Sequence, residues 1–182
     1  MDMMTERRFL EQLTGERWTG LKFLETVPAG TRQFARLCEA VHQSFSRDIT
    51  ITCGTMECPR ALRSLGLGRH DEQMASQMSE KTGMPLQRAE NLLAATPILE
   101  RNARAIAMGT TDQPDVLIGY LRPEEAMKLL RGWQQRTGRR LATDLSAFTA
   151  VCATLVAAEQ DDQPVFSFGC PDSRQYGGIA LD

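Results

Sequence analysis

Five cysteines are the most chemically capable residues of the chain, and two of them, Cys58 and Cys170, are each followed directly by proline. A proline at the first helical position puts the preceding cysteine at the helix cap. There, unpaired backbone N–H groups and the positive end of the helix dipole favour thiolate over thiol. Such a sulfur can ligate a metal or attack an electrophile. Cys53 shares the first loop, Cys53-Gly54-Thr55-Met56-Glu57-Cys58-Pro59, and Cys170 lies in the second, Gly169-Cys170-Pro171-Asp172-Ser173-Arg174. Cys38 and Cys152 fall on apolar helical faces, where packing as small core residues competes with ligation. With only two histidines, His42 and His70, a metal here would be held chiefly by sulfur. The close-paired knuckles of zinc ribbons do not occur, and the spacing from Cys53 to Cys58 lacks the further cysteines of a plant-type ferredoxin in the right order. Arg60, Arg63 and Arg69 crowd the first loop and Arg174 the second. Arg60, Arg63 and Arg174 are therefore the candidate contacts for an anion, weighed against ordinary solvated arginines. Leu65-Gly66-Leu67-Gly68 lacks the third glycine of a dinucleotide fingerprint and reads as a helix stop. Ser173 has no nucleophile-elbow setting, which leaves a serine hydrolase unsupported.

The elements that must position these residues follow from composition and periodicity. At 182 residues, 42% apolar and 24% charged, the chain suits one globular domain spanning residues 1–182. Twenty-one basic against 23 acidic side chains leave a net charge of −2, which supplies no basic excess for a nucleic-acid backbone. The longest apolar run, Thr149 to Ala158, is far short of the roughly 20 residues that span a bilayer, and Met1 to Leu10 lacks a signal peptide's apolar region. A cytoplasmic protein with no nucleic-acid and no membrane partner is the expectation, and a reducing compartment leaves the cysteines for packing, catalysis or metals.

Glu6 to Leu13 reads as a short helix ending at Gly15, and Gly20 to Glu25 alternates as a half-buried strand does. Phe34, Leu37, Cys38, Val41 and Phe45 share one face of a helix predicted to start at a Thr31 cap. Ile49 to Thr52 is a β-branched strand that delivers the chain to the first loop. Helices are predicted over Pro59–Leu65, Asp71–Lys81 and Pro85–Ala95, with strands over Ala103–Met108 and Asp115–Leu121 around a Gly109–Pro114 turn. Pro123 opens a helix that buries Ala126, Leu129, Leu130 and Trp133, pairs Glu124 with Lys128 outside, and stops at Gly138. A last helix, Thr143–Ala158, and a strand, Pro164–Phe168, lead into the second loop. The expected class is α+β (or α/β), with a small mixed sheet covered by about six to seven helices.

The ordered set Arg36-Leu37-Cys38-Glu39-Ala40-Val41, Cys58-Pro59-Arg60-Ala61 with Leu65-Gly66-Leu67, Pro114-Asp115-Val116-Leu117-Ile118-Gly119-Tyr120-Leu121-Arg122-Pro123, Ala150-Val151-Cys152 and Gly169 to Arg174 resembles the DUF169 family over nearly the whole chain. That family occurs in archaea and anaerobic bacteria, so the resemblance implies a domain type and an anaerobic setting more than a reaction. It matches Cys38, Cys58, Cys152 and Cys170 to the family's recurrent cysteines and leaves Cys53 as an addition. Members tend to continue past the position of Asp182, so a short member, or one lacking a C-terminal element, is expected. Four cysteines from two helices and two Cys-Pro loops, converging on one site, suit an iron–sulfur cluster, with 4Fe–4S the expected type and Cys53 an alternative ligand. The corresponding role is electron transfer or metallocofactor assistance in anaerobic metabolism, with a redox or maturation protein as partner. The competing expectation is a cofactor-free small-ligand-binding or interaction module with core cysteines, able to form a homo-oligomer through an apolar helix face. A third, a thiol enzyme using Cys58 or Cys170, predicts one unusually reactive cysteine.

Overall fold

Strand β1 (Trp18–Leu24) organises the protein because both of its faces are apolar where they must be. Thr19, Leu21 and Phe23 point to one side and Trp18 to the other, so the strand takes helices on both faces. The computed structural model describes residues 3–68, 71–141, 151–161, 164–167 and 178–181. In chain order the remaining elements are α1 (Met3–Thr14), α2 (Leu37–Ser44), β2 (Ile49–Thr52), a 3-10 turn (Cys53–Thr55), α3 (Pro59–Ser64), α4 (Asp71–Thr82), α5 (Leu86–Ala94), β3 (Ala105–Gly109), β4 (Val116–Tyr120), α6 (Pro123–Thr137), α7 (Val151–Asp161), β5 (Val165–Ser167) and β6 (Gly178–Leu181).

The six strands form one sheet in the order β2-β3-β1-β4-β6-β5. Every ladder between them is antiparallel. Parallel pairing is confined, among the described residues, to a bridge between Arg32 and Ile51. The α+β class therefore holds, with seven α-helices among the described residues, while the expected mixed sheet is antiparallel throughout its strands.

Two cores follow from the alternation of the strands. On one face Leu21, Phe23, Ile49, Ile51, Ile106, Met108, Val116 and Ile118 pack under α2, α3 and α7, with Leu155 and Val156 of α7 fully buried. On the other face Trp18, Leu117 and Leu121 pack against Leu10 of α1 and Leu129 of α6. β4 is apolar at nearly every position because it is covered on both sides. Gly119 faces Trp18 in register across β1 and β4, and its missing side chain is what lets the indole lie flat on the strand. α6 runs from Pro123 to Thr137 as predicted and stops at Gly138, whose φ of +67° suits glycine. Its buried stripe includes an acid: Glu125 is 2% exposed and accepts from the Arg122 backbone N–H (2.9 Å) and guanidinium. Glu124 approaches Arg122 (3.7 Å).

One helix begins later than the periodicity predicts. Thr31 to Arg36 do not join α2; Arg32 instead lies along β2, donating its N–H to Thr50 O (2.7 Å) and accepting from Thr52 N–H (3.0 Å). A free strand edge offers this segment backbone partners as good as those of a helical turn, and the edge prevails. The Thr31 hydroxyl donates to Pro28 O and caps nothing helical. Arg36 is the actual N-cap residue, in extended conformation. The predicted helix over Thr143–Ala158 is described from Val151 onward; its first residues lie outside the described chain.

Candidate functional site

The late start of α2 changes the setting of Cys38. The predicted helix would bury it in mid-element, whereas the structure makes it the second residue of α2, half-buried against the main core. Ala35, just before this start, accepts hydrogen bonds from the N–H groups of both Glu57 (3.0 Å) and Cys58 (3.2 Å). The beginning of α2 is thereby tied to the beginning of α3.

Cys58 occupies the N-cap of α3 with Pro59 at the first helical position, as the Cys-Pro pair predicts. Its carbonyl accepts the first helical hydrogen bond, from Leu62 N–H at 3.0 Å. The side chain is half-buried on the main core. α3 packs against α7, which carries Cys152 as its second described residue, 8% exposed. Burial pushes the Cys152 thiol up to about 11, and the neighbouring Cys58 pushes the same way, because a second thiolate opposes the first. Hydrogen bonding from the Ser64 side chain and from the backbone at Ala153 and Cys152 works against this rise by favouring the ionised form. Cys58 and Cys152, far apart in sequence, are thus electrostatic neighbours between two packed helices.

Cys53 is placed elsewhere. It follows Ile49 and Ile51 at the two-residue period of β2, and its N–H donates to Arg104 O (3.0 Å), so its side chain continues the inward face of the strand. At 1% exposure it is a core residue, with its thiol pushed up to about 11 by burial. The sequence expectation treats it as a loop cysteine; the alternation Ile49, Ile51, Cys53 is the signal that places it inside.

Of the three arginines assigned to an anion, Arg60 is exposed on α3. Arg63 is not at the surface: it is 4% exposed, and its guanidinium donates to Asp71 Oδ1 (2.7 Å), Thr96 O (3.1 Å) and Leu93 O (2.5 Å). An anion beside Arg60 could recruit Arg63 only by displacing these acceptors. Cys170 and Arg174, with Arg69, lie outside the described residues. Among the described residues, the cysteines form no disulfide, and no three His, Cys, Asp or Glu side chains gather closely enough to hold a metal ion. No described helix is long and apolar enough to cross a membrane.

Ser64 is the residue that sequence reasoning missed. It is a buried polar side chain at the end of a six-residue helix, and no local pattern marks it, because its partner Cys152 arrives from a distant segment. What the region offers chemically is a pair of soft sulfur donors in apolar surroundings, with hydrogen bonding that favours the ionised form of one of them. A family model described as "Uncharacterised ArCR" matches residues 17–182, nearly the whole chain. No curated protein and no solved structure matches it.

Proposed function

The chain belongs to the DUF169 family, and from that premise we propose that its function centres on the thiols at the α3–α7 junction, which hold an iron–sulfur cluster for electron transfer or metallocofactor assistance. The observation that carries this reading is the approach of Cys58 and Cys152, delivered by separate helices to one apolar junction. Their type fits such a cluster: sulfur donors, one at a helix cap, with hydrogen bonds available to the other. The remaining ligands in this reading are Cys38, on the α2 start that Ala35 ties to Cys58, and Cys170, three residues past the last residue of β5. Cys53, buried against the sheet, is the poorer alternative. A bound cluster of this kind would supply one-electron chemistry. The protein's own contribution is an apolar surround that limits water and a hydroxyl and amides that steady the sulfur. A redox or maturation protein in an anaerobic cytoplasm is the corresponding partner and setting.

A second reading has its own observation. Cys53 and Cys152 are buried in the main hydrophobic core, as ordinary packing cysteines are. On that reading the protein is a cofactor-free ligand-binding or interaction module, and the exposed Arg60 is where an anion would be sought.

Iron and acid-labile sulfide content, with a visible spectrum, on protein purified under strict anaerobiosis separates the two. The cluster reading expects about four of each per chain and broad absorbance near 400 nm, lost in Cys58→Ser and Cys152→Ser variants that remain folded. Colourless, metal-free, folded protein overturns it and leaves the module.

A further inference from the structure

The hairpin formed by α4 and α5 is attached to the protein in an unusual way. Its two helices pack on each other more closely than any other helix pair among the described residues, and on no other named element to a comparable extent. Their apolar side chains form a separate cluster of Ala75, Met78, Ala89 and Leu93, bordered by Met74 and Met84, which shares no residue with the two sheet cores. The buried guanidinium of Arg63 joins the hairpin to the body through its hydrogen bonds. It reaches Asp71, the first residue of α4, and the carbonyls of Leu93, in the last turn of α5, and Thr96, just beyond it. One side chain therefore grips both feet of the hairpin.

The same turn of α3 touches the thiol junction. Ser64, the neighbour of Arg63, is buried on α3, which packs against α7 where Cys152 sits, and its carbonyl accepts from the N–H of Leu99 at 2.7 Å. Leu99 is where the chain re-enters the main core after the hairpin. Gly66, where the chain leaves α3, sits against that re-entry point: a Cβ there would lie 3.2 Å from Leu99 O, and its φ of +71° suits glycine. Exit and re-entry are side by side, as at the base of a hinged arm.

We propose that the α4–α5 hairpin is an arm latched by Arg63, that it opens independently of the sheet, and that its release is transmitted through Ser64 to the Cys152 side of the thiol junction. A segment with its own small core and few contacts to the body opens at lower free energy than the sheet it is attached to. A charge-assisted fork that depends on three acceptors at once has two well-defined states, made and broken, which is what transmission between sites requires. Arg63 and Ser64 are consecutive residues of one short helix, so a shift that frees the first disturbs the second. The proposal regulates the junction discussed above and needs no cluster to be present.

Hydrogen–deuterium exchange and cysteine labelling with iodoacetamide, both mapped by peptide on the full-length metal-free chain, test it. In the wild type, the amides of residues 71–94 are expected to exchange through a common opening, faster than those of β1, β3 and β4. Asp71→Asn removes the half-exposed partner without touching the core, and Arg63→Lys keeps the charge but loses the fork. Each should speed exchange in the arm by about tenfold or more and raise Cys152 labelling in parallel, leaving Cys53 unchanged. The proposal is overturned if the arm exchanges only as fast as the sheet, or if the variants free the arm without altering Cys152. Because the readout needs no iron, failure of the cluster reading and failure of the latch are separate results.

Discussion

Gly119→Ala tests the packing of the sheet where it is tightest. Gly119 and Trp18 are direct cross-strand partners, and a Cβ at position 119 would lie 2.6 Å from Trp18 Cε2 and 2.8 Å from Cδ2 and Cζ2. Ordinary carbon contacts begin near 3.5 Å, so about 1 Å of movement is demanded of the ring. The indole has little freedom to supply it. It is fully buried, and its Nε1–H donates to Thr14 Oγ1 (3.2 Å), which in turn donates to Leu10 O (2.7 Å). Moving the ring therefore strains both the core between α1 and α6 and the end of α1. Overpacking of this kind costs about 1–3 kcal/mol, while replacing glycine returns about 0.5–1 kcal/mol by restricting the unfolded chain. The net expectation is a loss of roughly 1–2 kcal/mol, equivalent to a fall in Tm of about 2–4 °C per kcal/mol in a chain of this size. Urea unfolding followed by tryptophan fluorescence gives the midpoint and slope, and a lower midpoint at unchanged slope is the expected form. Gly132→Ala is the control: it lies in α6 with nothing within 4 Å of the added Cβ, and should stabilise by up to about 1 kcal/mol. Equal or greater stability of Gly119→Ala would refute the reasoning, because it would mean that the ring moves at no cost.

The thiols of Cys53 and Cys152, both raised to about 11 with burial the leading cause, should be alkylated in the folded protein at rates that climb about tenfold per pH unit through pH 8–10, without the plateau near pH 8.5 of an ordinary cysteine. A plateau for Cys53 in that range contradicts its placement. The same shift carries a stability consequence. The folded state holds these protons more tightly, so the contribution is complete below the unfolded pKa of about 8.5 and declines as pH rises from there toward 11, visible as a falling urea midpoint. Glu125→Gln should be less stable than wild type at neutral pH. Hydrogen bonds from Arg122, first those of its side chain, hold the Glu125 carboxyl below the usual range. Its contribution is therefore present above the unfolded pKa and lost as pH falls through the folded one, so the two stability curves should converge in acid. Arg101→Met should cost about 1–2 kcal/mol in urea unfolding. The guanidinium stacks 4.9 Å from the Phe23 ring centre and lies 2.5 Å from Asp115 and 3.2 Å from Glu159, in ion pairs whose angles fall short of hydrogen bonds. A neutral result would mean that these charges are served equally well by water.

Local signals were sufficient for much of this architecture. Alternation in Gly20–Glu25 and the β-branched run Ile49–Thr52 mark β1 and β2, because successive side chains of a strand point to opposite faces and every second one packs into the main core. Pro123 and Gly138 bracket α6, since one lacks the N–H that a first turn does not need and the other tolerates a left-handed stop. Cys58-Pro59 likewise announces a cysteine-capped helix, and the ordered short motifs are enough to identify the family. What the sequence could not determine depends on partners distant along the chain. Thr31 to Arg36 carry a helical pattern, yet the open edge of β2 captures Arg32 and delays α2, which moves Cys38 into its first turn. Gly178–Leu181 is too short to read as a strand, and becomes one because it pairs with both β4 and β5. Arg63 has the pattern of a surface cation until Asp71, Leu93 and Thr96 surround it. Composition and periodicity thus determined an α+β protein with chemically capable cysteines. Only the packing of α3 on α7 decided that Cys58, Ser64 and Cys152 meet, because that contact depends on helices and strands from both ends of the chain closing over one sheet.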